Sequence, residues 1–150
     1  MSVNLDDLIR KNIDDGSEIE FSGPVDDAKI REAESALGVT FPPSYRDYLR
    51  RYGAMEVDGR SFGGLSAAAA VGSVGDVVAF TRHARADHGL PVRYVAIDFQ
   101  DGDAFLCIDT GRQDADGESP LVLVEPVGLA QRGPDVAQGL VDYLTRYLTA

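Results

Sequence analysis

Apolar side chains recur at helical spacing in four parts of the chain. The spacing predicts a short helix over residues 4–13 and two helices between residues 26 and 53, separated by a turn with two prolines. A further helix is predicted from Val74 to Gly89, where a glycine and the following Leu90-Pro91 end it. A C-terminal helix is expected after Gly133-Pro134-Asp135. Helices are therefore expected towards both ends of the chain.

The middle of the chain changes to the alternation typical of strands. Three segments show this pattern or a short apolar run: residues 93–99, 104–109 and 121–125. Gln100-Asp101-Gly102-Asp103 is typical of a hairpin turn. Residues 55–65 predict one or two short strands, whereas residues 13–24 are interpreted as a polar connection. Helices grouped around antiparallel strands predict an α+β fold, with an antiparallel-leaning sheet of about four to six strands flanked by helices.

The segment from Ile30 to Gly53 carries the strongest local signals. Asp26 is expected to cap the first helix, and Gly38 stands where a left-handed C-cap ends it. Proline suits the first turn of the second helix. One face of that helix is apolar and is formed by Tyr45, Tyr48, Leu49 and Tyr52. We interpret the tyrosines as core residues with hydrogen-bonded hydroxyls; stacking on a ligand is the alternative.

Length and composition favour a single domain over residues 1–150. The hydrophobic content of 44% is enough for a core without disulfides, and the single cysteine, Cys107, is expected to be a small core residue. No apolar run reaches the roughly 18 residues of a membrane-spanning helix, and the N-terminus lacks the pattern of a signal peptide. We therefore expect a soluble cytoplasmic protein without a membrane partner.

The chain is strongly acidic, with a net charge of −11. This charge disfavours direct nucleic-acid binding, because phosphate contacts need clustered lysine and arginine. Acids are concentrated in residues 1–34, with ten acidic and four basic residues, and in residues 98–118, with seven acidic and one basic. The acids either solvate ordinary loops or attract a basic protein partner.

No catalytic or metal-binding motif is apparent. Asp114-Ala115-Asp116-Gly117-Glu118 resembles part of a calcium loop, but its glycine falls at position 4 instead of 6. His83 and His88 are five residues apart, which misses the i, i+4 spacing of paired helical ligands, and we expect partly exposed helix residues. We expect no cofactor, no metal and no enzymatic activity, although a triad assembled from scattered residues stays an alternative.

Several motifs in series resemble the SUKH superfamily. The first is I-x-x-A-E-x-x-L-G-V-x-F-P-x-x-Y-R-x-Y-L-x-x-Y-G, from Ile30 to Gly53. Further pieces follow in the family's order: Thr81–Arg85, Gly89–Pro91, Val95–Phe99, Gly102–Thr110, Ser119–Val122 and Val136–Leu144. The resemblance covers roughly residues 25–148. The chain departs from the family where Ala54 replaces a frequent second glycine and where Gly139-Leu140 replaces a common aromatic.

The resemblance implies an α+β fold and a non-enzymatic, protein-binding role. Many bacterial members look like immunity proteins that bind and neutralise a toxin of a polymorphic toxin system, often a basic nuclease or deaminase. Carboxylates can imitate phosphate in such a site. On charge and loop position, we expect the partner to contact Asp98, Asp101, Asp103, Asp114, Asp116 and Glu118. The alternative is an intracellular regulatory or scaffolding adaptor.

Overall fold

The computed structural model describes residues 4–100 and 103–149, and these residues form five helices and six strands. The helices are α1 (Leu5–Asp14), α2 (Asp27–Leu37), α3 (Pro43–Tyr52), α4 (Val77–His88) and α5 (Leu140–Thr149). The strands are β1 (Ile19–Phe21), β2 (Met55–Val57), β3 (Arg60–Phe62), β4 (Tyr94–Gln100), β5 (Ala104–Asp109) and β6 (Leu121–Val124). All pairings are antiparallel, which confirms the predicted α+β class.

The strands are divided between two three-stranded sheets. Sheet A has the order β1-β2-β3, and sheet B has the order β4-β5-β6. The Gly63 N–H donates to the Ile97 carbonyl at 3.1 Å and joins the two sheets. Ile97 lies at an irregularity of β4, where the register with β5 shifts between Ala96 and Asp98. A bulge frees backbone groups from the ladder, and here the freed carbonyl receives its hydrogen bond from the neighbouring sheet.

The helix ends follow the local sequence signals. The Asp26 carboxylate accepts from the Lys29 N–H at 2.9 Å and caps α2. Gly38 ends this helix with a φ of 70°, and Gly89 ends α4 with a φ of 75°. Pro43 opens α3 as expected. These boundaries are confirmed because each depends on groups within a few residues of the helix end.

The interpretation of residues 13–24 as a connection is wrong. Ile19–Phe21 form β1, in which Ile19 pairs with Val57 and Phe21 pairs with Met55. The period-two alternation Glu18-Ile19-Glu20-Phe21 is present but short. Such a strand depends on its partner, because cross-strand side-chain pairs are the unit of sheet stabilisation.

Two predicted helices begin later than expected. Val74 lies in the turn before α4 and is fully exposed, because α4 begins only after Asp76. Val136 precedes α5, and its N–H donates to the Leu121 carbonyl at 2.8 Å. This segment extends the pairing of β6 before the chain turns into α5. Apolar spacing alone does not separate such a flanking residue from the first helical turn.

Core residues lie on both faces of sheet B. On one face, Val95, Leu106 and Ile108 belong to a large hydrophobic cluster that also contains residues of sheet A and of helices α1–α5. On the other face, Ala96 and Cys107 belong to a smaller cluster that includes Ala84 of α4. Cys107 is buried as predicted, and its burial raises the pKa of the thiol well above its usual range. None of the described helices combines the length and apolar character needed to cross a membrane.

The tyrosine face of α3 is confirmed as core. Tyr45 and Tyr48 are buried and stack with ring centroids 5.7 Å apart. The Tyr45 hydroxyl donates to the Gly63 carbonyl at 2.9 Å, and the Tyr48 hydroxyl donates to the Phe62 carbonyl at 3.0 Å. Burial raises the pKa of both phenols, so both hydroxyls keep their protons and remain donors. Helix α3 is thereby tied to the end of β3.

Candidate functional site

Five of the six acids expected to contact a partner lie in the described residues, towards opposite ends of sheet B. Asp98 lies in the last part of β4, and Asp103 directly precedes β5. Strand β5 leads from there to the β5–β6 loop, which contains Asp114, Asp116 and Glu118. A strand of six residues spans about 20 Å. Asp101 lies outside the described residues. The structure therefore presents two separate acidic loops.

Three of these acids contact residues far away in the sequence. The Asp98 carboxylate accepts from Arg60 Nε at 3.2 Å, and the Asp103 carboxylate accepts from Arg132 Nη1 at 2.7 Å. The hydrogen bond from Arg132 lowers the pKa of Asp103 below its usual value. Glu118 accepts from the Ser44 N–H at 3.0 Å and so satisfies a free amide at the start of α3. These contacts connect elements of the fold.

The other two described acids form the exposed part of the β5–β6 loop. Asp114 Oδ1 accepts from the N–H of Asp116 at 2.8 Å and of Glu118 at 3.0 Å, which shapes the turn. Asp116 is exposed. Neither carboxylate forms an ion pair within residues 4–100 and 103–149. Their role in binding stays a prediction.

The arginines of this chain are largely neutralised within it. Nine form ion pairs with acids, namely Arg10, Arg46, Arg50, Arg51, Arg60, Arg93, Arg112, Arg132 and Arg146. Arg85 instead donates to the carbonyls of Leu37 and Val92. Because so many cations are already paired, the charge left for a partner is mainly negative.

A groove of about 780 Å³ is bordered by sheet A, β4 and the start of α4, and we call it the sheet A groove. The outward residues Glu20, Glu56 and Ser61 of sheet A line it, together with Phe21, Phe62, Gly63, Gly64, Val74, Phe80, Ile97 and Phe99. Phe21 is 43% exposed and Val74 is fully exposed. The groove therefore combines exposed apolar side chains with carboxylates.

Two of its carboxylates belong to residues directly opposite each other. Glu20 of β1 pairs in register with Glu56 of β2, which in turn pairs with Ser61 of β3. Like charges directly opposite in an antiparallel ladder destabilise it. Within the described part of the chain, neither glutamate has an ion-pair partner. Sequence reasoning missed this pair because it missed β1, although the short alternation around Ile19 was a usable signal.

Hydrogen bonds from three side chains hold the irregular segment beside the groove. Lys29 Nζ donates to the carbonyls of Ser66, Ala67 and Ala69 at 2.7–3.2 Å. Asp76 accepts from the Ala79 N–H and the Gly72 N–H, both at 2.8 Å. Ser22 donates to the Leu65 carbonyl. These contacts hold the segment that leads to Val74 at the edge of the groove.

Replacing Lys29 by methionine is expected to loosen residues 66–70 without unfolding the core. The substitution keeps the length of the side chain but removes three donations to carbonyls, so about 1–2 kcal/mol of stability should be lost. Amide hydrogen exchange should accelerate in residues 66–76 and stay unchanged in β5. Arg31→Met, on the same helix, is the control, and equal exchange in both variants would contradict the assigned role of Lys29.

The described residues contain no group of three His, Cys, Asp or Glu side chains arranged to hold a metal ion. His83 Nε2 lies 2.8 Å from Asp87 Oδ2, and both side chains are exposed. His88 is also exposed and packs edge-on against Phe105.

The arrangement at the sheet A groove is suited to recognition of a partner. Its carboxylates can accept hydrogen bonds from cations, and its aromatic rings can contact apolar groups.

Comparison with known proteins adds one finding. A family model described as SUKH_5, SMI1-KNR4 cell-wall, matches residues 5–123. The matched region runs from α1 into β6 and so includes the sheet A groove and both acidic loops. Curated proteins give no significant match.

Proposed function

The chain belongs to the SUKH superfamily, and from this membership and its surface charge we propose that it is an immunity-type protein. It binds and neutralises a toxin domain of a bacterial polymorphic toxin system. The toxin is basic, such as a nuclease or a deaminase. Family membership is consistent with immunity-type or cell-wall-related functions, and the surface charge favours the first.

The observation that supports this proposal is the uncompensated negative charge. The net charge is −11, and nine arginines are already paired with acids of the same chain. A partner therefore meets a surface with excess negative charge, on which Asp114 and Asp116 have no ion-pair partner among the described residues. Such a surface accelerates encounter with a basic protein and disfavours acidic ones.

The acidic loops are proposed to contribute long-range attraction. Asp103, Asp114 and Asp116 are exposed at the two ends of sheet B, too far apart for one small contact. Asp98 and Glu118 are proposed to hold the fold around these loops, Asp98 through its ion pair with Arg60 and Glu118 through its hydrogen bond from Ser44. They are not proposed to contact the partner directly. Charges of this kind mainly change the association rate and its dependence on salt.

A regulatory or scaffolding adaptor is the second candidate. The cell-wall description of the matching family favours it. An adaptor predicts several partners of moderate affinity and a phenotype on gene deletion in the absence of any toxin. An immunity protein predicts one tight partner, so partner purification followed by mass spectrometry separates the two.

Co-expression with the toxin domain encoded beside the gene is expected to restore growth of cells that the toxin alone arrests.

The affinity of the purified complex should fall at least tenfold between 0.1 and 0.5 M salt, since exposed charges are screened beyond about 10 Å at 0.1 M. The double variant Asp114→Asn, Asp116→Asn should bind several-fold more slowly and dissociate at an unchanged rate. A folded wild-type protein that neither binds the toxin nor restores growth would rule the proposal out.

A further inference from the structure

We propose that the sheet A groove is the contact site for a protein segment that carries a lysine or arginine flanked by apolar side chains. This inference rests on the proposed function for the identity of the partner, but its geometry comes from the groove alone. It assigns direct contact to Glu20 and Glu56, whereas the acidic loops act at a distance.

The glutamate pair defines the charge of the occupant. Glu20 and Glu56 are direct neighbours across the ladder, which places their Cβ atoms about 5 Å apart. They repel each other, and no cation of the described chain pairs with either. One ammonium or guanidinium group placed between them would neutralise both, and a guanidinium can donate to two carboxylates at once. The free protein therefore contains a repulsion that a basic side chain relieves.

The aromatic and aliphatic side chains define what flanks that charge. Val74 is exposed at the groove, and Phe80 and Phe99 line it while half-buried. Exposed apolar groups collected beside polar ones are a feature of protein interaction sites. A segment with only charged residues would leave these side chains in water, whereas apolar neighbours of the basic residue would cover them.

The groove is already formed in the free chain, which limits the entropy lost on binding. Lys29 holds the segment before Val74 through three carbonyls. The Gly63 N–H ties β3 to Ile97, and the lack of a side chain at Gly63 lets the two backbones approach. We therefore expect contacts in this preformed groove to slow the dissociation of the partner, because most affinity differences between related complexes lie in the dissociation rate.

The main test compares two variants that each remove two negative charges. Glu20→Gln with Glu56→Gln removes the groove pair, and Glu32→Gln with Asp116→Asn removes two exposed acids elsewhere. Binding kinetics are measured against the toxin domain encoded beside the gene. The groove variant is expected to dissociate at least tenfold faster. The control variant should associate more slowly and dissociate like the wild type. Val74→Ser should also accelerate dissociation, by a few-fold.

Loss of folding would not imitate this result. Removing the repulsion between Glu20 and Glu56 should leave the melting temperature unchanged or raise it. A groove variant that is as stable as the wild type and binds more weakly therefore supports a contact role. Equal dissociation rates of the wild type and the groove variant would overturn the proposal that the groove contacts the partner, while the proposed toxin-neutralising function would stand.

A peptide probe tests the groove without the toxin. The peptide acetyl-Leu-Lys-Val-Arg-Leu-amide is titrated into ¹⁵N-labelled protein, with acetyl-Leu-Gln-Val-Gln-Leu-amide as its neutral counterpart. The groove is supported as a contact site, even if the toxin fails to bind, by shifts of amide signals in β1–β3 and at the start of α4. These shifts should occur only with the basic peptide and only in protein that retains Glu20 and Glu56. Shifts elsewhere, shifts of equal size with both peptides, or no shifts would overturn it.

Discussion

Replacing Gly64 by alanine is expected to prevent the native fold. A Cβ at Gly64 would overlap the carbonyl oxygen of Gly53 and lie 2.9 Å from the Cα of Ala54. Both obstacles are backbone atoms, so no side-chain rotation can relieve them. Gly53 is itself held in place, because its carbonyl accepts from the Leu65 N–H at 2.9 Å and its φ is 74°. The overlap should cost more than the 1–3 kcal/mol that is roughly typical of overpacking.

Gly139→Ala is the matched control for this prediction. Gly139 does not have a positive φ, and a Cβ there would approach the Ser44 Oγ no closer than 3.5 Å, an ordinary contact. The free energy of unfolding of the Gly139→Ala variant, measured by urea denaturation, should differ from that of the wild type by about 0.5 kcal/mol or less. Gly64→Ala should be insoluble or lack a cooperative transition. If both alanine variants unfolded at the same urea concentration, the close approach of Gly53 and Gly64 would be refuted.

Replacing both Arg93 and Arg112 by methionine is expected to cost about 3–5 kcal/mol, because it leaves a buried carboxylate without a counter-charge. Asp109 is buried at the end of β5. Its carboxylate lies 3.4 Å from Arg93 Nε and 3.0 Å from Arg112 Nε, and it accepts from the Gly111 N–H at 3.1 Å. Arg112 also pairs with Asp135, so its loss further loosens the segment before α5.

Adding Asp109→Asn to this double variant should restore more than half of the lost stability. The neutral amide keeps an acceptor for Gly111 but needs no cation. Urea denaturation of the two variants gives the comparison. Arg50→Met is the control, because Arg50 pairs with Asp27 and Asp47 on the surface, and such pairs contribute little. A triple variant no more stable than the double variant would show that the charge of Asp109 is not the cause.

The helices were largely predictable because their signals are local. Asp26 and Gly38 bracket α2, and the three tyrosines of α3 share one face. These residues act on groups within one or two turns, so their effect appears in the sequence itself. The family resemblance, now confirmed, draws on the same segment.

Long-range pairing was harder to predict. The strand β1 has three residues, and it exists because β2 supplies its hydrogen-bond partners. The acids of the loops looked alike in the sequence, yet Asp98 and Asp103 meet arginines 38 and 29 residues away. Which carboxylates are neutralised depends on which distant cations the fold brings near.

The sequence by itself determined the α+β class, most helix boundaries, the buried tyrosine face and the excess of negative charge. Each of these depends on composition or on residues close together in the chain. Only the tertiary structure decided where the charge is left unpaired. It placed Glu20 beside Glu56, formed the groove bordered by sheet A, β4 and the start of α4, and separated the two acidic loops by the length of β5. The physical reason is that electrostatic pairing and strand register are set by distance in space, which sequence separation does not reveal.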